Sequence, residues 1–408
     1  MKSSKITALT SFGAGLEYYD FIIYALLSPY ISEQFFPTSH PSAAMLATLA
    51  VFAIGYLIRP IGGIIFGMLG DRFGRKHYFA LTLLLMALST FCMGIAPTYH
   101  RFGLFAPLLF IGFRIIQGIS FGAELPGSLT FLIEHIHEKS RGTHCGFMIS
   151  SVGLGSSLGA LIAYLTSQLF TTAQMTTFGW RIPFLLGGFL AIIAYFIRKK
   201  ATETPAFLAN KAPPKYALVD LLRDHPQSIL QGFGMLLLPT SLVIFILIIP
   251  AYFRDAYHYT SHDIYLGMTI SQLWCAFLLP IFGRLSDRVG RKRLLLVATT
   301  TTALCSLLLF QLLTFKTKIA LFAFLGLYET LIAAMAACYF TLLAELFPTR
   351  VRYTGVALCY NTVYAIVAML PMLIHTIYTH TQSLLYTPLL FTLLALVTTF
   401  SVWNLSPG

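Results

Sequence analysis

Long apolar runs separated by short polar segments are the dominant pattern along the chain. Each run has about 20 or more mainly apolar residues, the length that an α-helix needs to cross the ~30 Å hydrocarbon core of a bilayer. The pattern therefore predicts an all-α integral membrane protein with twelve membrane-spanning helices. Their approximate bounds are 7–34, 42–69, 78–97, 104–133, 143–170, 181–198, 227–252, 264–283, 294–315, 319–346, 354–379 and 385–403. The first run is too long, and too rich in acidic residues, for a cleavable signal peptide.

One charged turn occurs twice. GMLGDRFGRKHYF at 67–79 and GRLSDRVGRKRLL at 283–295 share seven of thirteen residues, and each joins the second and third spans of a six-span half. In each half a glutamate also precedes an arginine by seven residues, as in Glu134–Arg141 and Glu345–Arg352. The repeat predicts two six-helix bundles, 1–198 and 227–408, related by an axis along the membrane normal. Residues 199–226 form the predicted linker, with an amphipathic piece on the membrane surface.

Composition and charge support a membrane location. Of the 408 residues, 57% are hydrophobic and only 10% are charged, which is too few for the surface of a soluble domain. Twenty of the 27 lysines and arginines fall in segments on one side of the predicted membrane and five on the other. This bias predicts that both termini are cytoplasmic. The basic residues form no tail or patch that would indicate nucleic-acid binding.

The repeated turn is a candidate gate. Gly70 and Gly74 would allow a tight reversal, so that Asp71 and Arg75 could pair with charges at neighbouring helix ends, such as Arg141 or a helix N-terminus. The alternative is a solvated loop that only fixes topology. Two copies at matched positions favour the gate. The complete set of predicted gating residues is Gly70, Asp71, Arg75, Glu134, Arg141, Asp287, Arg291, Glu345 and Arg352.

Several of these stretches resemble a known family. GDRFGRK, SDRVGRKR and RIIQG (114–118) resemble the signatures of the major facilitator superfamily. GLEYYDF (15–21), IRPIGGIIFGMLGDRFGRK (58–76), GWRIPFLLGG (179–188) and AELFPTRVRYTG (344–355) resemble more narrowly the metabolite:proton symporters, which carry proline and betaine, α-ketoglutarate, citrate or shikimate. Tyr18 and Ala123 depart from the usual pattern. The sequence ends at Gly408 without the coiled-coil tail of some osmolyte carriers, which counts against osmosensing.

Charged residues inside the spans are the candidates for chemistry, because each costs about 2.5–3.5 kcal/mol at mid-membrane on insertion scales. There are four carboxyls and two guanidiniums: Glu17, Asp20, Glu124, Glu329, Arg59 and Arg114. Arginine does not release its proton, so the acids are the groups able to exchange one. The family resemblance implies proton coupling through an Asp–Arg pair between the first and fourth spans. The alternative is that Asp20–Arg114 and Glu124–Arg59 are fixed structural ion pairs.

A second group of residues would line a central cavity. Arg114 and Arg59 would hold a substrate carboxylate. Weaker candidates are Tyr19, Tyr24, Gln117, Gln272, Trp274, Tyr339, Asn361 and Tyr364. For the aromatic residues, packing and anchoring at the membrane interface are the alternative roles.

These patterns together predict a proton-coupled secondary transporter of the bacterial inner membrane, which imports a small carboxylate or carboxylate-bearing zwitterion as a monomer. A proton-driven exporter and a membrane sensor are the alternatives. The fifth span lacks the Gly-Pro-x-x-Gly-Gly pattern of drug–proton antiporters, which disfavours efflux. No nucleotide-binding loop, catalytic cluster or C-x-x-C pair is present, so neither an enzyme, a cofactor nor a metal site is predicted.

Overall fold

The computed structural model describes residues 3–37, 41–210 and 212–405. Lys2 and Lys211, which enter the count of basic residues, lie outside these ranges. All regular elements in the described ranges are helices. This follows from the sequence, because a chain in lipid must satisfy its backbone N–H and C=O groups internally.

The helices follow the predicted spans closely. We number them α1 Ser3–Phe35, α2 Pro41–Leu57, α3 Arg59–Phe73, α4 Arg75–Ile95, α5 Phe105–His135, α6 Arg141–Leu169, α7 Arg181–Lys199, α8 Pro205–Ala209, α9 Ala217–Asp224, α10 Pro226–Phe245, α11 Ile249–Tyr257, α12 Ser261–Val289, α13 Arg291–Leu312, α14 Lys318–Glu345, α15 Arg352–Val367, α16 Leu370–Thr381 and α17 Tyr386–Trp403. Short helical turns lie at Tyr99–Phe102, Glu138–Ser140, Thr172–Gln174, Met175–Gly179, Leu313–Phe315 and Thr349–Val351.

Three predicted spans are interrupted. The second, seventh and eleventh are divided into α2 and α3, α10 and α11, and α15 and α16. In each case the helix after the break has a proline in its first turn, namely Pro60, Pro250 or Pro371. Proline lacks a backbone N–H and its ring fixes φ near −65°, so it is well tolerated in the first turn of a helix, where that N–H would be unpaired.

Eleven helical segments in the described ranges are long and apolar enough to cross a membrane. The first helix, α1, is not among them, although its 33 residues exceed the length that a span requires. It carries Glu17 and Asp20 together with several hydroxyl-bearing residues. Counted with α1, the segments make up the twelve predicted spans.

Contacts between residues divide the chain into two compact units. The first comprises Met1–His135, Ser151–Leu218 and Thr349–Leu358, and the second comprises Ile136–Ser150, Val219–Pro348 and Cys359–Gly408. Helices α6 and α15 are therefore each shared, because their opening residues belong to one unit and the remainder to the other. These two helix starts are the elements that the repeated turns contact.

Each unit has an aromatic core. In the first, Trp180 packs edge-on against Phe35, which lies 4.2 Å from Phe110 between ring centroids. The next residue, Arg181, donates to the carbonyl oxygens of Gly94 and Ala96 at 2.8 and 2.7 Å and so satisfies the C-terminal end of α4. This contact gives the GWRIPF stretch a structural role.

In the second unit, Phe245 is at the centre of the aromatic core and lies within 5.2–6.4 Å of five other rings. The core joins α10 to α11, α13, α14 and α17. Tyr328 and Phe324 are the α14 residues whose rings pack in this core, next to Glu329 on the same helix.

Candidate functional site

Six charged side chains are buried together in the first unit, each at most 5% exposed. They come from α1, α3, α5 and α7: Glu17, Asp20, Arg59, Arg114, Glu124 and Arg198. The sequence predicts an excess of acids here, but Arg198 adds a third guanidinium, and Glu329 belongs to the other unit. Acids and bases in this group are therefore equal in number.

Asp20 is linked to Arg114 through two other side chains. The Arg114 guanidinium donates to the amide oxygen of Gln117, whose amide nitrogen donates to Thr90 Oγ1 at 2.8 Å. The Thr90 hydroxyl then donates to Asp20 Oδ2 at 2.5 Å. The direct Asp20–Arg114 ion pair considered from the sequence is thus replaced by a chain of hydrogen bonds. Every donor in it points from the guanidinium towards the carboxylate.

The second oxygen of Asp20 has a different environment. Oδ1 is buried and accepts no hydrogen bond from the described residues. A carboxylate oxygen of this kind is costly to bury while it carries charge. It is also the position where a proton can bind without breaking the bond from Thr90.

Glu124 forms an ion pair with Arg198. Arg198 Nη2 lies 2.5 Å from Glu124 Oε1 and Nη1 lies 2.8 Å from Oε2. Thr82 and Ser128 donate to the same two oxygens at 3.1 and 3.3 Å. The Glu124–Arg59 pair, named from the sequence as an alternative, is not formed, because the cation that pairs with Glu124 is Arg198.

Arg59 lies among aromatic rings. Its guanidinium carbon is 4.3 Å from the ring centroid of Tyr56 and 5.1 Å from that of Phe121. Glycine makes this position possible, since a Cβ atom on Gly122 would lie 2.0 Å from the carbonyl oxygen of Arg59. Oxygen Oε2 of Glu17 is buried without a hydrogen bond from the described residues.

The polar and aromatic residues predicted to line a cavity lie in different environments. Tyr24 belongs to the site, because its ring centroid lies 4.3 Å from the Arg114 guanidinium and its hydroxyl donates to Thr48 O at 3.1 Å. Tyr19 is a packing residue whose hydroxyl donates to Pro183 O at 2.9 Å. Gln117 lies in the chain between Arg114 and Thr90. In the second unit, Tyr339 and Asn361 are buried, whereas Trp274 is 45% exposed.

The first repeated turn binds the start of α15. Asp71 accepts hydrogen bonds from the backbone N–H groups of Tyr353 and Thr354 at 3.2 and 2.8 Å, and from Thr354 Oγ1 at 2.6 Å. A carboxylate at this position satisfies the unpaired N–H groups of a helix N-terminus and interacts favourably with the helix dipole. Arg75 lies 2.9 Å from Asp71 and 3.2 Å from Glu134, and Arg352 lies 3.1 Å from Glu134. These residues form the first network.

The second repeated turn binds the start of α6 in the same manner. Asp287 accepts from the backbone N–H groups of Gly142 and Thr143 and from Thr143 Oγ1, all at 2.8 Å. Arg291 lies 3.2 Å from Asp287 and 2.8 Å from Glu345, and Arg141 lies 2.9 Å from Glu345. These residues form the second network. The prediction that the turn contacts a helix N-terminus describes both copies, but the cation that faces Asp71 is Arg75, and Arg141 pairs with Glu345.

The glycines of the turn have separate roles. Gly74 has φ 115° and its counterpart Gly290 has φ 102°, so these two positions need the conformational freedom of glycine. Gly70 was also predicted to serve the reversal, but it lies inside α3. A Cβ atom there would lie 2.4 Å from the Tyr353 ring, so Gly70 permits close approach of α15.

The two networks differ in burial. In the first, the side chains of Arg75 and Glu134 are 1% and 0% exposed, whereas in the second those of Arg291 and Glu345 are 13% and 22% exposed. The start of the linker covers the first network. Glu203 accepts from the backbone N–H of Arg75 at 3.1 Å, and Thr204 Oγ1 donates to Glu134 Oε2 at 2.6 Å.

Comparison with known proteins identifies the family. The sequence model of the Major Facilitator Superfamily matches this chain over residues 10–370 and 231–407. The chain belongs to the Major Facilitator Superfamily. It is 32% identical over 387 residues to the glycine betaine/proline/ectoine/pipecolic acid transporter OusA of Dickeya dadantii, covering 90% of this chain and 76% of that protein. It is 30% identical over 402 residues to the proline/betaine transporter of Escherichia coli K12, covering 94% and 79%.

Solved structures of the superfamily share the fold. A structure of the proton:xylose symporter XylE bound to 6-bromo-6-deoxy-D-glucose superposes with a TM-score of 0.80 at 17% identity, covering 99% of this chain and 96% of XylE. The human organic anion transporter MFSD10 gives a TM-score of 0.68 at 15% identity, covering 98% and 100%. The twelve-helix, two-bundle fold and the resemblance to the metabolite:proton symporter family are thereby confirmed. The protein is a multi-pass membrane transporter, not an enzyme.

Several site residues were not identified from the sequence. Arg198 stands at the end of the sixth span and was counted with the loop charges. Thr143 and Thr354 had a usable signal, because each lies two residues after the arginine of the repeated Glu–Arg pair. Thr90 had none, since it is one of several hydroxyl-bearing residues in an apolar span.

Proposed function

We propose that this transporter imports a small carboxylate or a carboxylate-bearing zwitterion together with protons, by alternating access. The observation that carries the proposal is the buried chain from Arg114 through Gln117 and Thr90 to Asp20. It connects a group that can exchange a proton with a permanent cation that can bind a carboxylate. A change in the charge of the acid therefore alters the environment of the base.

In the proposed cycle, Asp20 is the proton-binding residue. A proton binds at Oδ1, the oxygen that accepts no hydrogen bond from the described residues. Protonation removes the negative charge at the end of the chain and weakens the polarisation of its donors. Arg114 and Gln117 are then released to bind the substrate carboxylate, with Arg59 as a second cation. Glu17 and Glu124 are secondary candidates for the proton, and the Arg198 ion pair makes Glu124 the weaker one.

The substrate class follows from the same guanidinium. Arginine binds a carboxylate through two parallel hydrogen bonds, and a guanidinium in a membrane interior favours an anionic group. The named substrates of the related transporters include glycine betaine and proline, both of which are carboxylate-bearing zwitterions. The same class is proposed for this chain.

The two networks are proposed to stabilise one state of the cycle. Each joins a repeated turn to the start of a helix, and transport would require these bonds to break and reform. We place both networks and both termini on the cytoplasmic side of a bacterial inner membrane, on the basis of the positive-inside bias. The two bundles of a monomer, 1–198 and 227–408, would be joined by the linker 199–226.

Replacing Asp20 by asparagine tests the proposal. Asp20→Asn is nearly isosteric and cannot release a proton, so it imitates a permanently protonated carrier. In proteoliposomes, uphill accumulation of labelled L-proline under a pH gradient should be lost, whereas exchange of substrate for substrate should continue. Glu17→Gln tests the secondary candidate on the same helix face, and it should retain accumulation if Asp20 is the proton-binding residue.

Two outcomes would contradict the assignment. If Asp20→Asn still concentrates substrate under a pH gradient, Asp20 does not carry the proton. If both accumulation and exchange are lost while the thermal stability of the purified protein falls, Asp20 has a structural role. A panel of labelled carboxylates, zwitterions, cations and lipophilic drugs tests the substrate class. Transport of cations or drugs alone would contradict it.

A further inference from the structure

Glu329 is a buried carboxyl that lies apart from the site described above. It is the twelfth residue of α14, about 16 Å along the helix from Lys318. Its exposed fraction is 5%, and it belongs to the second unit. Within the described residues it forms no ion pair, and the polar group near it is the thiol of Cys275 on α12.

The surroundings of Glu329 are defined by the crossing of α12 and α14. Two adjacent residues of α12 face two adjacent residues of α14. The thiol of Cys275 lies near the carboxyl of Glu329, and Trp274 Nε1 donates to Thr330 Oγ1 at 3.0 Å. One turn before Glu329, a Cβ atom on Gly326 would meet no atom within 4 Å. The carboxyl therefore lies at the edge of a packed core, close to open space.

An ionised carboxylate in this position would lack compensation. The effective desolvation penalty of a buried ion is several kcal/mol, and it is offset only by a close opposite charge with good hydrogen bonds. A thiol is a weak donor and carries no charge. The other titratable neighbour is Tyr328. Its hydroxyl donates to Leu242 O at 2.7 Å, so that proton is not donated to Glu329. The neutral acid avoids the penalty, so a bound proton is the simplest way to keep Glu329 buried.

We propose that Glu329 is a second proton-binding site, protonated in the state seen here and titrated separately from Asp20. Proton binding converts its carboxylate to the acid and requires no other bond to form or break. Because Gly326 and the exposed side of Trp274 border open space, rearrangement of α12 against α14 would give this proton access to water. The part of the proposal that concerns transport rests on the proposed proton-coupled function, whereas the protonation of Glu329 does not.

Infrared spectroscopy tests the protonation directly. Attenuated total reflection spectra of the full-length protein in liposomes, recorded from acidic to alkaline pH, contain a C=O band from protonated carboxyls. At neutral pH, Glu329→Gln should lose the contribution of one carboxyl from this band. Cys275→Ala should keep that contribution but shift its frequency, because it replaces the thiol beside Glu329 with a methyl group. Equal band intensity in wild-type protein and Glu329→Gln would overturn the proposal.

The ratio of protons to substrate tests the role in transport. With labelled L-proline in proteoliposomes, Glu329→Gln should reduce the ratio by one proton, with half-saturation changed by less than about twofold because no substrate contact is removed. An unchanged ratio with at least about tenfold weaker half-saturation would instead indicate a site for the substrate ammonium group and overturn the transport role. If wild-type protein moves no protons, the proposed function fails, and the infrared result still decides the protonation of Glu329.

Discussion

Replacing Asp71 by asparagine should weaken the first network selectively. Asp71 is fully buried, and its two oxygens accept three hydrogen bonds from Tyr353 and Thr354 in addition to the contact with Arg75. Asparagine keeps the size but replaces one acceptor oxygen with an NH2 group. In either orientation of the amide, an N–H group then faces another donor.

The expected magnitude follows from these contacts. A hydrogen bond to a charged group contributes about 1.5–3 kcal/mol, and a buried donor without a partner adds to the loss. Arg75 still has Glu134, so the cost stays below that of a fully uncompensated buried charge. We expect Asp71→Asn to weaken the contact between the first repeated turn and the start of α15 by about 2–4 kcal/mol. The equilibrium constant for opening this contact then rises about 30- to 1,000-fold.

The second network provides a matched comparison. Asp287 makes the same three bonds to α6, but it and Arg291 are 6% and 13% exposed. Water can replace part of what is lost, so Asp287→Asn should cost about 1–2 kcal/mol, or about 5- to 30-fold in opening. The control is Asp255→Asn, because Asp255 pairs with Arg254 at a site where both side chains are about half exposed. Exposed ion pairs contribute little to stability.

Hydrogen–deuterium exchange in lipid nanodiscs measures the effect. Backbone amides of Tyr353 and Thr354 should exchange faster in Asp71→Asn, and those of Gly142 and Thr143 in Asp287→Asn, with the larger change in the first. Turnover should fall in both variants with substrate half-saturation changed far less, because the defect lies in interchange of states. Unchanged protection of the first pair in Asp71→Asn would refute the reasoning. Wild-type turnover in both variants would leave the turns with a role in topology alone.

Three further predictions follow from the first unit. Glu124→Gln should lower the free energy of unfolding by about 3–5 kcal/mol, because it leaves the guanidinium of Arg198 buried without its counter-charge; an unchanged thermal midpoint in detergent would contradict this. Thr90→Val keeps the shape but removes the hydroxyl that links Gln117 to Asp20, so accumulation under a pH gradient should fall while exchange continues. Thr90→Ser should restore accumulation. Full accumulation in the valine variant would exclude this chain of hydrogen bonds from proton coupling. Leu208→Cys, in a variant whose exposed Cys305 is replaced, should react with a membrane-impermeant thiol reagent only from the cytoplasmic side. Labelling from outside intact cells would refute the topology.

The sequence alone determined the architecture. The number of membrane-spanning helices follows from apolar runs of a minimum length, and the twofold repeat follows from a turn motif that occurs twice. Both are local properties of the chain. The sequence also identified the buried charges of the first unit, apart from Arg198, because a charge inside an apolar run is conspicuous wherever it lies. The breaks before Pro60, Pro250 and Pro371 were not predicted, because Pro29, Pro126, Pro239 and Pro280 lie inside uninterrupted helices and a proline alone does not determine where a helix ends.

Only the tertiary structure decided which groups meet. Pairing depends on rotation and depth of each helix to within a few ångströms, and an apolar run leaves both undetermined. Glu124 therefore pairs with Arg198 and not with Arg59, and Thr90 and Gln117 stand between Asp20 and Arg114. The unequal burial of the two networks also has a tertiary cause, because the start of the linker, a segment that is not repeated, covers the first copy of the turn.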